Sequence, residues 1–524
     1  MALTSIIKLE CPTCHKLAVE ISRLSIGKTS LIKLQCGHLI NGEILIKEDS
    51  DYDNIIFKDG LKPRPYQIDA IKFGEESGIR FILADEQGLG KMVESLCLIK
   101  LHPEKLLPAV IVCPTSVKIQ WMRHIHWICG NGPEFLTQVI ESGKQIAMPG
   151  FKIYIVTFDM LKKEDLFKLV PDVNSIFIDE CQRIKNHLSD RAKACQRIAQ
   201  NLDHIVPMSG TPIKNHAGEY FTVLMIAPTR FPHYQTYVDR YCQSEEGQFG
   251  SKIGGLRDAA RFHEMTKDII IRRTKAEVLP DLPSLDRRFF HVELDAKLNK
   301  AYAKALEELD ELLYSDEEDI FAANGLMIAI MGKLRHIAGI SKIPDCVEFT
   351  TEFLLSTEQK RVIFTHHTDV ADILKIKLNS WLKDGGYNEV LHLHSGLDGN
   401  ARANLVRRFE NEPNRIMIAS TLAAGEGLNL QFCSDAVMLE RQWNPANEEQ
   451  AEARFHRFGQ INNVTITYML ASGTIDEYFT ELVERKRAIV AQTLDNKEIQ
   501  WEQQSLMKEL ATMLSTRGRE KWKL

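Results

Sequence analysis

Asp85, Glu86, Gln87, Gly88, Leu89 and Gly90 stand directly before Lys91, following the apolar run Phe81-Ile-Leu-Ala84. That is the composition of a loop that closes backbone N–H groups around phosphates while its lysine reaches the terminal oxygens; a Ser or Thr hydroxyl normally follows and binds Mg²⁺. In this chain the hydroxyl position is Met92. Further on, Asp179-Glu180-Cys181-Gln182 follows Ser175-Ile-Phe-Ile178. An acidic pair at the end of a buried strand suits magnesium binding by Asp179 and orientation of an attacking water by Glu180. Ser209-Gly210-Thr211-Pro212 comes after the next apolar run. Any one of these segments also fits an ordinary turn, cap or solvated strand end. All three together point to a nucleoside triphosphate site.

The elements needed to position these residues are visible as short continuous apolar runs, the pattern of parallel strands covered on both faces. One set comprises Phe81–Ala84, Ala109–Pro114, Lys152–Thr157, Ser175–Asp179 and His204–Met208; a second comprises Arg361–Thr365, Val390–His394, Arg415–Ala419, Asp435–Leu439 and Val464–Tyr468. Val93 to Lys100 has helical spacing, so the glycines fall at a strand-to-helix turn, where a helix N-terminus adds its own N–H donors. The fold class expected is α/β with two parallel-sheet lobes. The organisation expected is a small module over 1–50, a nucleotide-binding lobe over 51–228, helical protrusions and a linker over 229–355, a second lobe over 356–474, and a helix with a basic tail over 475–524. Between Pro212 and the second lobe the sequence reads as mainly helical, with Pro280 and Pro283 marking the linker. Ala296 to Leu313 carries apolar residues at helical spacing and leads to the acidic turn Ser315–Asp319, while Ile475, Phe479, Leu482, Val483, Ile489 and Val490 share one helical face.

At the amino terminus, Cys11-Pro-Thr-Cys14 and Cys36-Gly-His38 form two close pairs separated by a stretch that reads as a hairpin with Gly27 in its turn. Cys11, Cys14, Cys36 and His38 are therefore expected to hold a structural Zn²⁺, with His15 as the alternative fourth ligand and unpaired thiols as the plainer reading. Eleven cysteines, an odd number, suit a reducing compartment. With 524 residues and 44% hydrophobic content the chain can bury several cores. No signal segment and no span of about 20 apolar residues is seen, so an intracellular protein, cytoplasmic, nucleoid or nuclear, is expected, without membrane contact. Lys and Arg total 65 against 71 Asp and Glu, a net charge of −6, which excludes a uniformly basic surface. Nucleic acid would have to be held by local stripes. Arg272, Arg273 and Lys275 are one candidate, and the tail Arg517–Lys523 is another.

Ordered together, these segments resemble the SWI/SNF-type (sucrose-nonfermenting-two) family of superfamily two DNA-dependent ATPases. The resemblance runs over about residues 60 to 495 through Arg64-Pro-Tyr-Gln67, the phosphate loop, Pro114-Thr-Ser with Gln120-Trp121, Asp179–Asn186 and Ser209–Asn215. It continues through Ile271–Lys275, His394-Ser-Gly396, Ser420–Asn429, Trp443-Asn-Pro445 and Gln450–Gln460. It implies two RecA-like lobes, ATP and Mg²⁺ as cofactors, and double-stranded or branched DNA as partner. The protein is expected to be a monomer, and its amino-terminal module a site for DNA or protein contacts. It further implies that Arg64, Gln67 and Gly427 belong with the phosphate loop in nucleotide binding, and that Arg454 and Arg457 reach the triphosphate across the cleft. Gln182, Ser209, Gly210 and Thr211 would couple nucleotide state to lobe position. Pro114, Thr115, Thr157, Thr365, Ser395, Gly396 and Thr421 would meet the backbone of one DNA strand. Helical protrusions and a brace helix after the second lobe belong to the same pattern. Arg335–Lys342 and Val362–His367 look closest to the annealing-helicase and fork-remodelling branch, although Gln182 in place of His fits that branch less well. The activity implied is ATP hydrolysis coupled to movement along duplex DNA. The alternatives are a nucleotide-gated DNA-binding scaffold weakened by Met92 and a strand-separating helicase.

Overall fold

The computed structural model describes residues 8–10, 17–26, 29–34, 39–41, 51–141, 147–163, 165–213, 216–226, 230–231, 233–247, 250–313, 320–421, 428–442 and 445–495. The chain divides into two units, Met1–Arg64 and Pro65–Leu524. In the first, Lys8–Glu10, Leu17–Ile26, Thr29–Leu34 and Leu39–Asn41 pair in that order as an antiparallel meander. The expected hairpin is its central pair. Cys11, Cys14, His15, Cys36 and His38 lie outside the described residues.

The second unit contains two parallel sheets. The first has the order Ile270–Ile271, Ile82–Leu83, His204–Met208, Ser175–Asp179, Ala109–Cys113, Ile153–Thr157, Thr137–Val139. The neighbouring strands Ser175–Asp179, Ala109–Cys113 and Ile153–Thr157 are buried at every residue, which explains why they read as unbroken apolar runs. The helix Pro65–Glu76 packs so closely that a Cβ on Gly74 would lie 2.8 Å from Phe81 Cε1. The second sheet has the order Leu285–Val292, Val464–Ala471, Asp435–Met438, Arg361–Thr365, Ile416–Ser420, Leu391–Leu393, again all parallel. Two RecA-like lobes result.

The stretch between the lobes is less helical than its sequence suggests. A hairpin of Cys242–Gly247 and Gly250–Leu256 joins the first lobe's protrusion, Ile270–Ile271 completes the first sheet, and Leu285–Val292 forms the edge of the second. Half of its eight residues are polar and six of its eight positions are exposed, so the unbroken apolar run that betrays a buried strand is missing. Helices Ala296–Leu313 and Ile320–Ser341 do form. Their apolar faces, including Tyr302, Leu309, Leu334 and Ala338, bury Ile475, Phe479 and Val483 of the helix Ile475–Asp495. That last helix then reaches back to the first lobe's protrusion, where the imidazole of His263 meets the carbonyl of Thr493 at 3.0 Å. Among the described residues, no helix is long and apolar enough to cross a membrane.

Candidate nucleotide site

The phosphate loop leaves the strand Ile82–Leu83 and turns at Gly88 (φ +93°) and Gly90 (φ +98°), both in the left-handed region that only glycine enters freely. Gly90 caps the helix Lys91–Leu101, so the first N–H groups of that helix point into the loop, a ready anion site. A Cβ on Gly90 would lie 2.4 Å from Gln67 Nε2. Gln67 and Tyr66 both donate to the Leu89 carbonyl, at 3.0 and 2.8 Å, so Gln67, expected in nucleotide binding, is fixed to the loop itself. Lys91 Nζ donates to the Asp85 and Glu86 carbonyls at 2.7 and 3.3 Å. Burial pushes this ammonium's pKa down against the pull of Asp85, Glu180, Glu94 and Asp179.

The side chains of Asp85 and Glu86 are taken up by partners within the protein. Asp85 is fully buried and takes Arg273 through its Nε at 3.1 Å and through a second guanidinium nitrogen. Glu94 shares the same arginine at 2.9 Å. Glu86 accepts from the Lys275 backbone at 2.7 Å and pairs with its ammonium at 3.3 Å. Arg272 donates to the Ala84 and Gly210 carbonyls. The reading of Arg272, Arg273 and Lys275 as a DNA-facing stripe is therefore corrected: their donors are directed to the acidic residues and carbonyls around the phosphate loop. What the loop offers a nucleotide is its backbone, Lys91 and the helix N-terminus.

Asp179 and Glu180 lie where the strand Ser175–Asp179 ends. Trp121 Nε1 donates to Asp179 Oδ2 at 2.8 Å and the Glu180 N–H donates to Oδ1 at 2.9 Å. Burial, then the neighbouring Glu180, pushes Asp179 up to about 7 against Trp121 and Lys91. A divalent cation would supply the positive charge this carboxylate lacks. Glu180 itself is a non-glycine residue at φ +54°, a strain that structures retain chiefly at functional turns. Its Oε2 accepts from Gln182 Nε2 and, at 3.2 Å, from Gln450 Nε2 of the second lobe.

Ser209, Gly210 and Thr211 press on the phosphate loop from the adjacent strand. A Cβ on Gly210 would lie 2.4 Å from Gln87 Cγ and 2.9 Å from Gln87 N, and Ser209 Oγ accepts from the Thr211 N–H at 3.0 Å. Both amide atoms of Gln87 and the Thr211 hydroxyl are buried without a hydrogen-bond partner. Orphaned polar atoms beside a glycine cradle, a buried ammonium and an undercompensated carboxylate are what a polyphosphate with Mg²⁺ would satisfy. Asp179 is the protein ligand this set offers the metal. Met92, second in the helix, offers a soft thioether that Mg²⁺ does not favour.

From the second lobe, Arg457 packs on the loop: a Cβ on Gly88 would lie 3.2 Å from Arg457 Cβ. Burial, then the neighbouring Arg454, pushes the Arg457 guanidinium down to about 10. An anion arriving here would reverse that penalty. Both arginines follow the helix Pro445–Glu452, which is held by buried charge. Glu448 takes Arg441 at 2.8 Å with both side chains almost wholly buried, and Glu452 takes Arg287 at 2.6 Å and Tyr468 Oη at 2.5 Å. Arg487 of the last helix adds Glu449 at 3.2 Å and Glu448 at 3.5 Å.

Pro114, Thr115 and Ser116 line a cavity of 970 Å³ between the lobes with Lys118, Arg123 and Arg183, facing Leu397, Asp398 and Arg402. Ser395 and Gly396 are exposed, and Arg402 braces their loop through the Ser395 and Leu397 carbonyls. Thr157, Thr365 and Thr421 differ from expectation: all are buried, and the Thr421 hydroxyl donates to the Thr365 carbonyl at 3.4 Å. Arg64 is half-buried in the first unit, and Gly427 lies outside the described residues. Tyr66, Trp121, Gln450 and Glu448 were not singled out as site residues from sequence. Tyr66, Trp121 and Gln450 fall within motifs that carry the resemblance, whereas Glu448 does not.

Residues 66–338 match the family model described as the SNF2-related domain, and residues 342–459 the helicase conserved C-terminal domain. The chain is 29% identical over 456 residues to the SWI/SNF-related matrix-associated actin-dependent regulator of chromatin subfamily A-like protein 1 of Xenopus laevis, covering 85% of this chain and 45% of that protein. It is 26% identical over 467 residues to the DNA annealing helicase and endonuclease ZRANB3 of Homo sapiens, covering 86% and 42%. The chain thus spans less than half the length of these two curated relatives. The solved Sulfolobus solfataricus SWI2/SNF2 ATPase core in complex with dsDNA superimposes with a TM-score of 0.39 at 22% identity, over 83% of this chain and 93% of that one, too loosely to carry an argument.

Proposed function

The chain belongs to the SNF2-related family, and from that premise we propose that it hydrolyses ATP to move along double-stranded DNA and to remodel DNA structures or protein–DNA complexes. The carrying observation is that Glu180 of the first lobe meets Gln450 of the second while Arg457 packs on Gly88. A nucleotide bound there touches both lobes, so its hydrolysis changes their relation. In this reading Lys91 and the loop backbone hold the phosphates, Gln67 meets the base, and Asp179 holds Mg²⁺, which would offset phosphate charge. Glu180, steadied by Gln182 and Gln450, orients the water, and Arg454 and Arg457 stabilise charge developing on the transferred phosphoryl group. Ser209 and Thr211 relay the change to the lobe interface. Thr115, Ser395, Gly396 and the backbone at Thr157, Thr365 and Thr421 meet one DNA strand, contacts that position without reading sequence.

Within the family we assign the chain to the annealing and fork-remodelling branch, with branched DNA as the substrate class. Supporting this, Arg335, Gly339 and Lys342 of the branch-like segment tie the helix Ile320–Ser341 to the second lobe. Arg335 donates to the Arg441 carbonyl at 2.6 Å, Lys342 pairs with Asp476 at 2.6 Å, and a Cβ on Gly339 would lie 2.7 Å from Glu440 Oε1. The chain's likeness to a DNA annealing helicase agrees. The zinc reading stays with the amino-terminal module: the pairing of Glu10 with Leu17 and of Glu20 with Leu34 puts the described strand ends that flank residues 11–16 and 35–38 at one end of the meander. The deciding measurement is ATP hydrolysis with and without duplex DNA, followed by annealing of complementary strands at a fork. Hydrolysis indifferent to DNA would refute the motor, and strand separation in place of annealing would move the chain to another branch.

A further inference from the structure

Trp121 is one of the largest fully buried side chains in the protein, and its indole N–H is spent on a carboxylate oxygen of Asp179. The other oxygen is held by the Glu180 backbone. The orientation of this carboxylate therefore rests on one rigid backbone contact and one side chain from a different element. That element is the helix Lys118–Ile128. Its outer face, Lys118, Ile119, Met122 and Arg123, lines the 970 Å³ cavity between the lobes, and Gly399 of the second lobe approaches so near that an added Cβ would meet Ile119 Cδ1 at 3.3 Å. Its inner face carries Trp121, Ile125 and Ile128, all buried. A helix only three turns long thus has the inter-lobe cavity on one side and the catalytic carboxylate on the other. A close-packed helix cannot tilt or slide without carrying its inner side chains along.

We infer that Trp121 is a positioning residue through which DNA in the inter-lobe cavity is sensed at the metal-binding carboxylate of Asp179. The inference rests on the DNA-motor reading. Duplex DNA pressing on Lys118, Ile119 and Arg123 shifts the helix, the indole N–H follows, and the carboxylate rotates about its fixed Glu180 contact, changing the oxygen it offers a cation. An ordinary core tryptophan would contribute packing alone and would leave metal binding blind to DNA.

The test is Mn²⁺ binding followed by electron paramagnetic resonance, with a non-hydrolysable ATP analogue, in the presence and absence of duplex DNA. In wild type, DNA should change Mn²⁺ affinity by about fivefold or more, the lower range of inter-site coupling. Trp121→Phe should reduce that change to within about twofold while DNA affinity persists. Because a smaller ring leaves a cavity, a second variant carries 3-benzothienylalanine at 121, which keeps the indole shape and replaces the N–H by sulfur. It keeps the indole volume, so it should lose less in urea midpoint than Trp121→Phe yet lose the DNA-dependent change. A benzothienyl variant with full DNA dependence would overturn the inference, as would DNA-stimulated wild type whose Mn²⁺ affinity ignores DNA. A wild type that does not bind duplex DNA would overturn the motor reading as well, so the two failures are told apart.

Discussion

The two lobes present their chemistry to one site by different means. In the first, Asp179 and Glu180 sit at the end of a strand and Lys91 opens the helix after the phosphate loop, so the backbone of an almost wholly apolar sheet and its turns sets their place. In the second, Gln450, Arg454 and Arg457 sit on or just past a helix of eight residues, Pro445–Glu452. Three glutamates of that helix are anchored by Arg441, Arg287 and Arg487, drawn from three other elements. A strand end inherits its precision from the neighbouring ladder. A short helix lacks that ladder, and directional charge pairs supply its register.

The comparison can first be broken on the strand-end side. Lys91→Ala and Glu180→Gln should each reduce DNA-stimulated ATP hydrolysis to background while leaving the fold and DNA binding in place, because neither residue bears the sheet. Unaltered turnover in both variants, measured by phosphate release, would remove the first lobe from the chemistry. On the helix side, Arg457→Ala should lower turnover by about 10³ to 10⁵ with little change in nucleotide affinity. An effect confined to affinity would make Arg457 a ground-state contact.

The anchor is tested next. Glu448→Ala leaves buried Arg441 with only the more distant Glu484, at 3.8 Å, and breaking a buried pair costs about 3–5 kcal/mol. We expect the second lobe to unfold at lower urea than the first in that variant, and turnover to fall even below the transition. A substitution at Ala109–Cys113, Val112→Ala, should cost stability with little penalty in kcat for the surviving folded fraction. If Glu448→Ala behaved in the same way, charge would be merely structural in both lobes.

Much of the first lobe was legible because its strands are buried on both faces, and burial writes itself as unbroken Val, Ile and Phe. The phosphate loop and Asp179-Glu180 were equally plain, since their chemistry is local. What escaped depends on partners far along the chain. Thr137–Val139 and Ile270–Ile271 are three and two residues long and exist only through pairing, and Leu285–Val292 shows no unbroken apolar run because it is an exposed edge. Arg273 looked like a surface cation until Asp85, 188 positions away, was found against it. Trp121 and Gln450 matter because of which carboxylate each meets, and no spacing announces that.

Met92 sharpens the comparison from within the first lobe, where one position of an otherwise complete loop has lost its oxygen. Met92→Thr should raise turnover and lower the magnesium needed for half-maximal rate by about tenfold, the worth of about 1.4 kcal/mol. If wild type is already fast and Met92→Thr changes neither quantity, another oxygen fills the place. If both proteins are inactive with duplex DNA, the chain is a nucleotide-gated scaffold.

The smallest effect expected is at Glu449, the outermost member of the helix anchor. Burial, eased by Arg487 and reinforced by Glu452, pushes this carboxyl up to about 7, with Arg287 also pulling it down. A carboxyl whose pKa is raised by folding binds more protons folded than unfolded between about 4.5 and 7, so its contribution to stability falls as pH rises through that window and is flat above it. Solvent reaches 31% of the side chain, which limits the effect to about 1 kcal/mol. Glu449→Gln should therefore match wild type near pH 5 and exceed it near pH 8 in urea midpoint. An equal difference at both pH values would show that folding leaves the ionisation of Glu449 as it would be in water.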